Sequence, residues 1–196
     1  VTQYRLTVIE GWTFDRLITA LREHDKIEFT LEDVDTAEIM DRLGLEGRHP
    51  EGMFYPTTYN FPKGTTDRQF LRNAYAEMRQ RLEEIWQTRQ VGLPLETPYE
   101  ALILASIIER EAQVEKERAK IAGVFVRRLN KGMRLQADPT VIYGMDKEKN
   151  AERITRADLR RDTSYNTYTR HGLPPTPIAL PGSASIKAAV NPEPGD

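Results

Sequence analysis

The chain has 196 residues, 39% hydrophobic and 30% charged, with a formal net charge of -2 and no cysteine. That composition supports a packed core, excludes disulfides and thiolate metal sites, and gives no global reason to expect a nucleic acid or an anionic membrane surface. No apolar run reaches the ~18 residues of a membrane span; no signal peptide is visible, and the start at Val1 rather than Met is that expected of a fragment.

In chain order, YRLTVI at 4–9 alternates and is rich in β-branched residues, which predicts a short strand. From Thr13 to His24, Phe14, Leu17, Ile18 and Leu21 recur at helical spacing. Thr30, with Asp33 three residues on, is expected to cap a second helix over 31–43. The stretch EGRHPEGMFYPTTYNFPKGTT has prolines, glycines and aromatics without a period, so a long structured loop is expected there. Long loops of ordered composition are often functional. A strong helix follows from Thr66 to Gln90, with Phe70, Leu71, Ala74, Met78, Leu82, Ile85 and Trp86 on its inner face. Thr97-Pro98-Tyr99-Glu100 reads as a capping box with proline at the first helical position, and it opens the helix PYEALILASIIEREAQ. Another helix, over 117–129, stops at Asn130-Lys131-Gly132. The remainder is loop-rich, with short helices expected at Asp138-Pro139, at Thr155 with Asp158, and at Ser183. The expected fold class is α+β: a small αβ unit over 1–44 and a largely helical domain with long structured loops over 45–196.

Two glutamates stand at the C-terminal end of the greasiest helix. At about 100° per residue, with Leu104 at zero, Ile108 falls at roughly 40°, Ile107 at roughly -60° and Glu111 at roughly -20°. Glu111 is therefore expected among the apolar side chains, whereas Glu109, at roughly 140°, is expected on the wet side. A carboxyl among apolar neighbours raises its pKa, finds partners or lines a cleft. A raised pKa suits a general acid near neutral pH. The alternative is an ion pair between Glu111 and Arg118 with a structural role only.

Other constellations are weaker. His24, His49 and His171 have no metal-ligand spacing, no serine sits in a nucleophile elbow, and no glycine loop cradles phosphate. The basic runs Arg127–Arg134 and Arg153–Arg161 read as solvated helix faces, with contact to a polyanion as the alternative. The loops FYPTTYNF, DPTVIYG and SYNTYTRHGLPP combine aromatic faces with amide and hydroxyl groups. Such sets grip sugar rings, stacking on C–H faces and bonding hydroxyls and N-acetyl amides; packing of the loops could use the same residues, but beside an inward glutamate the combination favours a glycan cleft.

ASIIEREA, VFVRRLNKGMRLQADPTVIYG and YNTYTRHGLPPTPIALPG, together with the earlier EGMFYPTTY, resemble the MltG/YceG-like family of endolytic murein transglycosylases, in order from about residue 5 to residue 190. The resemblance implies cleavage of the MurNAc-GlcNAc β-1,4 bond in peptidoglycan, with 1,6-anhydroMurNAc ends and no water consumed. Glu111, the second acid of an E-x-E motif, would then be the single catalytic acid and base. Matching motifs place Tyr55, Gln136, Asp138, Thr140, Tyr143, Tyr165, Asn166, Thr167 and Tyr168 at the substrate. The family's implied setting is the inner membrane, a single N-terminal helix outside this chain holding the catalytic part in the periplasm; residues 1–44 would follow on from its LysM-like region. Glycan strands are the implied partner, with peptidoglycan synthases as further candidates, and no metal, cofactor or nucleic acid is implied. Thr57 stands where the family has Asp and Thr176 where it has Gly, and the family's closing segment would lie beyond NPEPGD. A non-catalytic peptidoglycan-binding or scaffold module is the alternative reading.

Overall fold

A computed structural model of the chain describes residues 1–145 and 153–195. Among these the fold is α+β, with eight helices and a two-stranded sheet. Strand β1 (Gln3–Thr7) pairs antiparallel with β2 (Thr58–Pro62), setting Gln3 opposite Pro62 and Thr7 opposite Thr58. The expected N-terminal strand is present. Its partner lies inside the stretch expected to be all loop, because five residues between turns carry too short an alternation to declare themselves.

Helix α1 (Phe14–Glu23) begins at Thr13, whose hydroxyl accepts from the Arg16 amide. The second helix is shorter than expected: α2 spans Thr36–Arg42 and is capped by Asp35. Thr30 does not cap it. Its amide and hydroxyl donate to the buried Asp67 carboxylate, at 2.8 and 2.7 Å, and Asp33 turns the chain at φ 54°. Helix α3 (Asp67–Trp86) carries a full capping box between Thr66 and Gln69. Helix α4 (Pro98–Glu111) has Thr97 as its cap, but the Glu100 carboxylate reaches the Glu96 amide rather than that of Thr97. A 3-10 turn at Glu115–Glu117 leads into α5 (Arg118–Asn130). Helices α6 (Asp138–Gly144), α7 (Arg156–Arg160) and α8 (Ser183–Val190) complete the set.

Two apolar clusters fill the interior. One surrounds α4 with side chains from α3, α5 and α8. Every residue of α4 from Ala101 to Ile108 is buried, so the helix has no wet side until its last turn. The second joins Val8 and the inner faces of α1 and α2 to Phe54, Phe61, the first half of α3 and Leu180. This second cluster draws residues from both sides of position 44. Residues 177–182 strap the two together: Gly11 donates to Leu180 at 2.9 Å, and Leu180 donates to Trp12 at 2.8 Å.

Candidate active site

The two glutamates at the C-terminal end of α4 exchange the surroundings expected of them. Glu109 has a side chain only 5% exposed, pairs with Arg118 at 3.1 Å and accepts the Gly182 amide at 2.9 Å. Glu111, the last residue of α4, is exposed and is not the partner of Arg118. The cause is the burial of α4 on all sides: an apolar stripe locates an interior only where the opposite face is wet. Here the segment before α8 and Arg118 of α5 cover the Glu109 side, and the helix end opens at Glu111.

Although solvent reaches Glu111, its carboxyl is raised above the ordinary range, first by partial burial, then by the negative charge of Asp138, with Arg128 acting against both. Asp138 is the first residue of α6 and accepts a hydrogen bond from the Tyr168 hydroxyl. Burial and that bond push Tyr168 up to about 12. Glu111, Asp138, Tyr168 and Arg128 thus form one electrostatic group. Arg128 escaped the sequence reading, which treated it as part of a basic helix face; its side chain instead turns back to the Leu135 carbonyl.

The loop carrying Tyr168 is held from behind. Gln136, exposed and at φ 54°, donates its amide to the Thr167 carbonyl at 3.2 Å. The Thr140 hydroxyl donates to the Ala137 carbonyl at 2.7 Å and accepts from that of Thr167 at 2.8 Å. Asn166 donates to the Leu159 and Arg161 carbonyls at 3.1 and 2.8 Å and accepts the Tyr168 amide at 2.8 Å. Asn166 and Thr140 are 0% exposed and Thr167 is 2% exposed. These three, expected against a ligand, fasten the loop to α6 and α7 with their polar groups already engaged.

A tyrosine layer lies at the other end of α6. Tyr143 meets Tyr165 edge-on with centroids 4.8 Å apart, and the Tyr165 hydroxyl bonds Thr176 at 2.8 Å. Thr176, which stands where the family has glycine, gives the Tyr165 hydroxyl a partner that a glycine would lack. The Tyr143 hydroxyl donates to Glu51 at 3.0 Å. Glu51 also escaped notice in the sequence, where only its place before a glycine in EGMFYPTTY marked it. Tyr55 lies elsewhere: it is 7% exposed in the cluster around α4, with its hydroxyl 2.5 Å from that of Ser183 and the Arg81 guanidinium over its ring. A cavity of about 260 Å³ opens against residues 164–167 and 170–175, on the loop itself rather than at Glu111. Among the described residues, no cluster of three or more His, Asp or Glu could hold a metal ion.

The α+β fold is shared with a known protein family. The model of the YceG-like family matches residues 1–196, and the chain belongs to that family. It is 32% identical over 209 residues to an endolytic murein transglycosylase of Bacillus subtilis, covering 98% of this chain and 57% of that one. It is 31% identical over 214 residues to an endolytic murein transglycosylase of Streptococcus pneumoniae, covering 95% of this chain and 38% of that one. The chain therefore spans little more than half the length of the first relative and less of the second. The crystal structure of a YceG-like protein from Listeria monocytogenes superposes with a TM-score of 0.74 at 32% identity, covering 100% of this chain and 69% of that one.

Proposed function

We propose that the chain cleaves the MurNAc-GlcNAc β-1,4 bond within peptidoglycan strands without water, leaving 1,6-anhydroMurNAc ends, and that Glu111 is its single acid and base. The observation that carries this reading is the raised carboxyl of Glu111, held at the open end of a buried helix beside Asp138. A carboxyl that holds its proton more tightly than an ordinary one is better placed to donate it to a leaving oxygen. Protonated Glu111 gives its proton to the bridging oxygen as the bond from that oxygen to the MurNAc C1 breaks. The resulting carboxylate then takes the proton of the same sugar's C6 hydroxyl while O6 bonds to C1. No water enters, which distinguishes the step from glycoside hydrolysis by two carboxylates.

The charge of Asp138, bonded by Tyr168, favours the protonated form of Glu111 and stabilises the positive charge that develops at C1. Gln136 and Tyr168 offer polar groups to N-acetyl amides, and Tyr143 and Tyr165 offer ring surface to the sugars. Thr140, Asn166 and Thr167 act by holding that loop, and Tyr55 by packing α3 against α8. The names of the Bacillus and Streptococcus relatives support the substrate. Action would fall outside the cytoplasmic membrane, where glycan strands lie and peptidoglycan synthases are candidate neighbours. Among the described residues no helix is long and apolar enough to cross a membrane, so the expected tether would lie outside them.

Mass spectrometry of purified peptidoglycan incubated with the chain and with Glu111→Gln tests the proposal. Anhydro-ended fragments from the native chain are expected, with the variant slowed at least about 10²–10⁴-fold. Reducing-end fragments would show a hydrolase instead and make Asp138 the first candidate for its second carboxylate. Retention of the glycan without cleavage by the native chain would favour a binding module.

A further inference from the structure

We infer that Glu51 is a positioning residue: its carboxylate ties the first turn of α1 to the Tyr143 hydroxyl and so sets the tyrosine layer at the end of α6 opposite Asp138. Glu51 is 4% exposed and lies outside the Glu111–Asp138 group. One carboxylate oxygen accepts the Phe14 amide at 2.7 Å, and the other accepts the Tyr143 hydroxyl at 3.0 Å. The Phe14 amide is one of the donors a helix start leaves unpaired, so the carboxylate closes α1 and grips α6 at once. The backbone behind it cannot retreat. Gly52 has φ +80°, and a Cβ there would sit 2.4 Å from the Pro177 Cβ. Beyond Tyr143 the chain of contacts runs to Tyr165 and then to Thr176.

Glu51 is bound by two backbone amides and one phenol rather than by a cation. These donors favour the carboxylate, burial opposes it more strongly, and the balance pushes the group up to about 7. The titratable groups around it are His49, whose ring accepts the Glu51 amide at 3.2 Å, and Tyr143, with Tyr165 and Tyr99 behind it. Gain or loss of one proton near neutrality therefore decides whether Tyr143 has an anion to donate to.

The inference takes the meaning of the cleft from the proposed function, but the contact can be read without it. The ring resonances of ¹³C-labelled Tyr143 would be followed by NMR from pH 5.5 to 8.5 in the native chain, with Tyr143→Phe fixing the assignment. A Tyr143 titration near pH 7 that disappears in Glu51→Gln is expected; a flat native profile, or one that survives the substitution, overturns the coupling whether or not the chain cleaves peptidoglycan. Rates of glycan cleavage for Glu51→Gln, Tyr143→Phe and the double variant then test the positioning. Each single variant is expected to lose about tenfold, and the double no more than the worse single. Multiplying losses would overturn action through Tyr143, and unaltered turnover in Glu51→Gln would overturn positioning. Should Glu51→Gln not fold, the native titration and the Tyr143→Phe rate still decide, a Tyr143→Phe protein with native turnover being the adverse result.

Discussion

At the scale of single residues, carboxyl groups with raised proton affinity fix the sign of the pH response. The Glu51 carboxyl is raised to about 7 from an unfolded value of 4.5, so the folded chain holds that proton more tightly than the unfolded chain does. Stability from this group is therefore fully present below about pH 4.5 and falls as pH rises toward 7, by on the order of 3 kcal/mol in all. Urea unfolding at pH 5 and pH 8 should show that Glu51→Gln narrows the native chain's loss of stability between the two; an equal loss in the variant would assign the pH dependence elsewhere. Glu111 is shifted the same way by burial and Asp138. Its proposed acid role requires the proton, so turnover should decline as pH climbs past its midpoint. Asp138→Asn, which removes the neighbouring charge, should bring that decline to lower pH, readable in the rate profile.

At the scale of elements, the local signals were legible and the distant ones were not. Thr13, Thr66 and Thr97 each announced a helix start, and each accepts an amide there. The cap at Thr30 misled because its real partner, Asp67, lies 37 residues away. Strand β2 stayed hidden for the same reason, since its register is set by β1 far back along the chain. Family motifs led to the loop of Tyr165–Tyr168 but carried no sign of which side chains face solvent. Asn166 illustrates the difference: replacing it with Ala leaves two carbonyls and the Tyr168 amide without their partner. A cost of about 2–3 kcal/mol is expected, with cleavage falling as Tyr168 loses its anchor. Calorimetry and turnover should drop together; a variant of native stability would place the Asn166 bonds among dispensable ones.

At the scale of the whole molecule, α4 is the axis on which the rest is assembled. Its residues from Ala101 to Ile108 should exchange amide hydrogens most slowly of all, near the rate of global unfolding. Leu104, 0% exposed at its centre, should cost about 2–5 kcal/mol when cut to Ala, lowering Tm by roughly 5–15 °C. If the α1–α2 cluster and the α4 cluster melted in separate steps in that variant, the strap through Leu180 would not couple them. An axis walled on every side also divides what natural variation can reach. Rotating or sliding α4 to move Glu111 would disturb every layer of packing at once, whereas the exposed side chains of the 136–144 and 162–176 segments can be changed one at a time. Under the proposed function, preference for one glycan decoration over another is free to drift at those exposed positions while Glu111 stays at its post, and directed evolution for altered wall substrates would do best to randomise them and leave the helix alone.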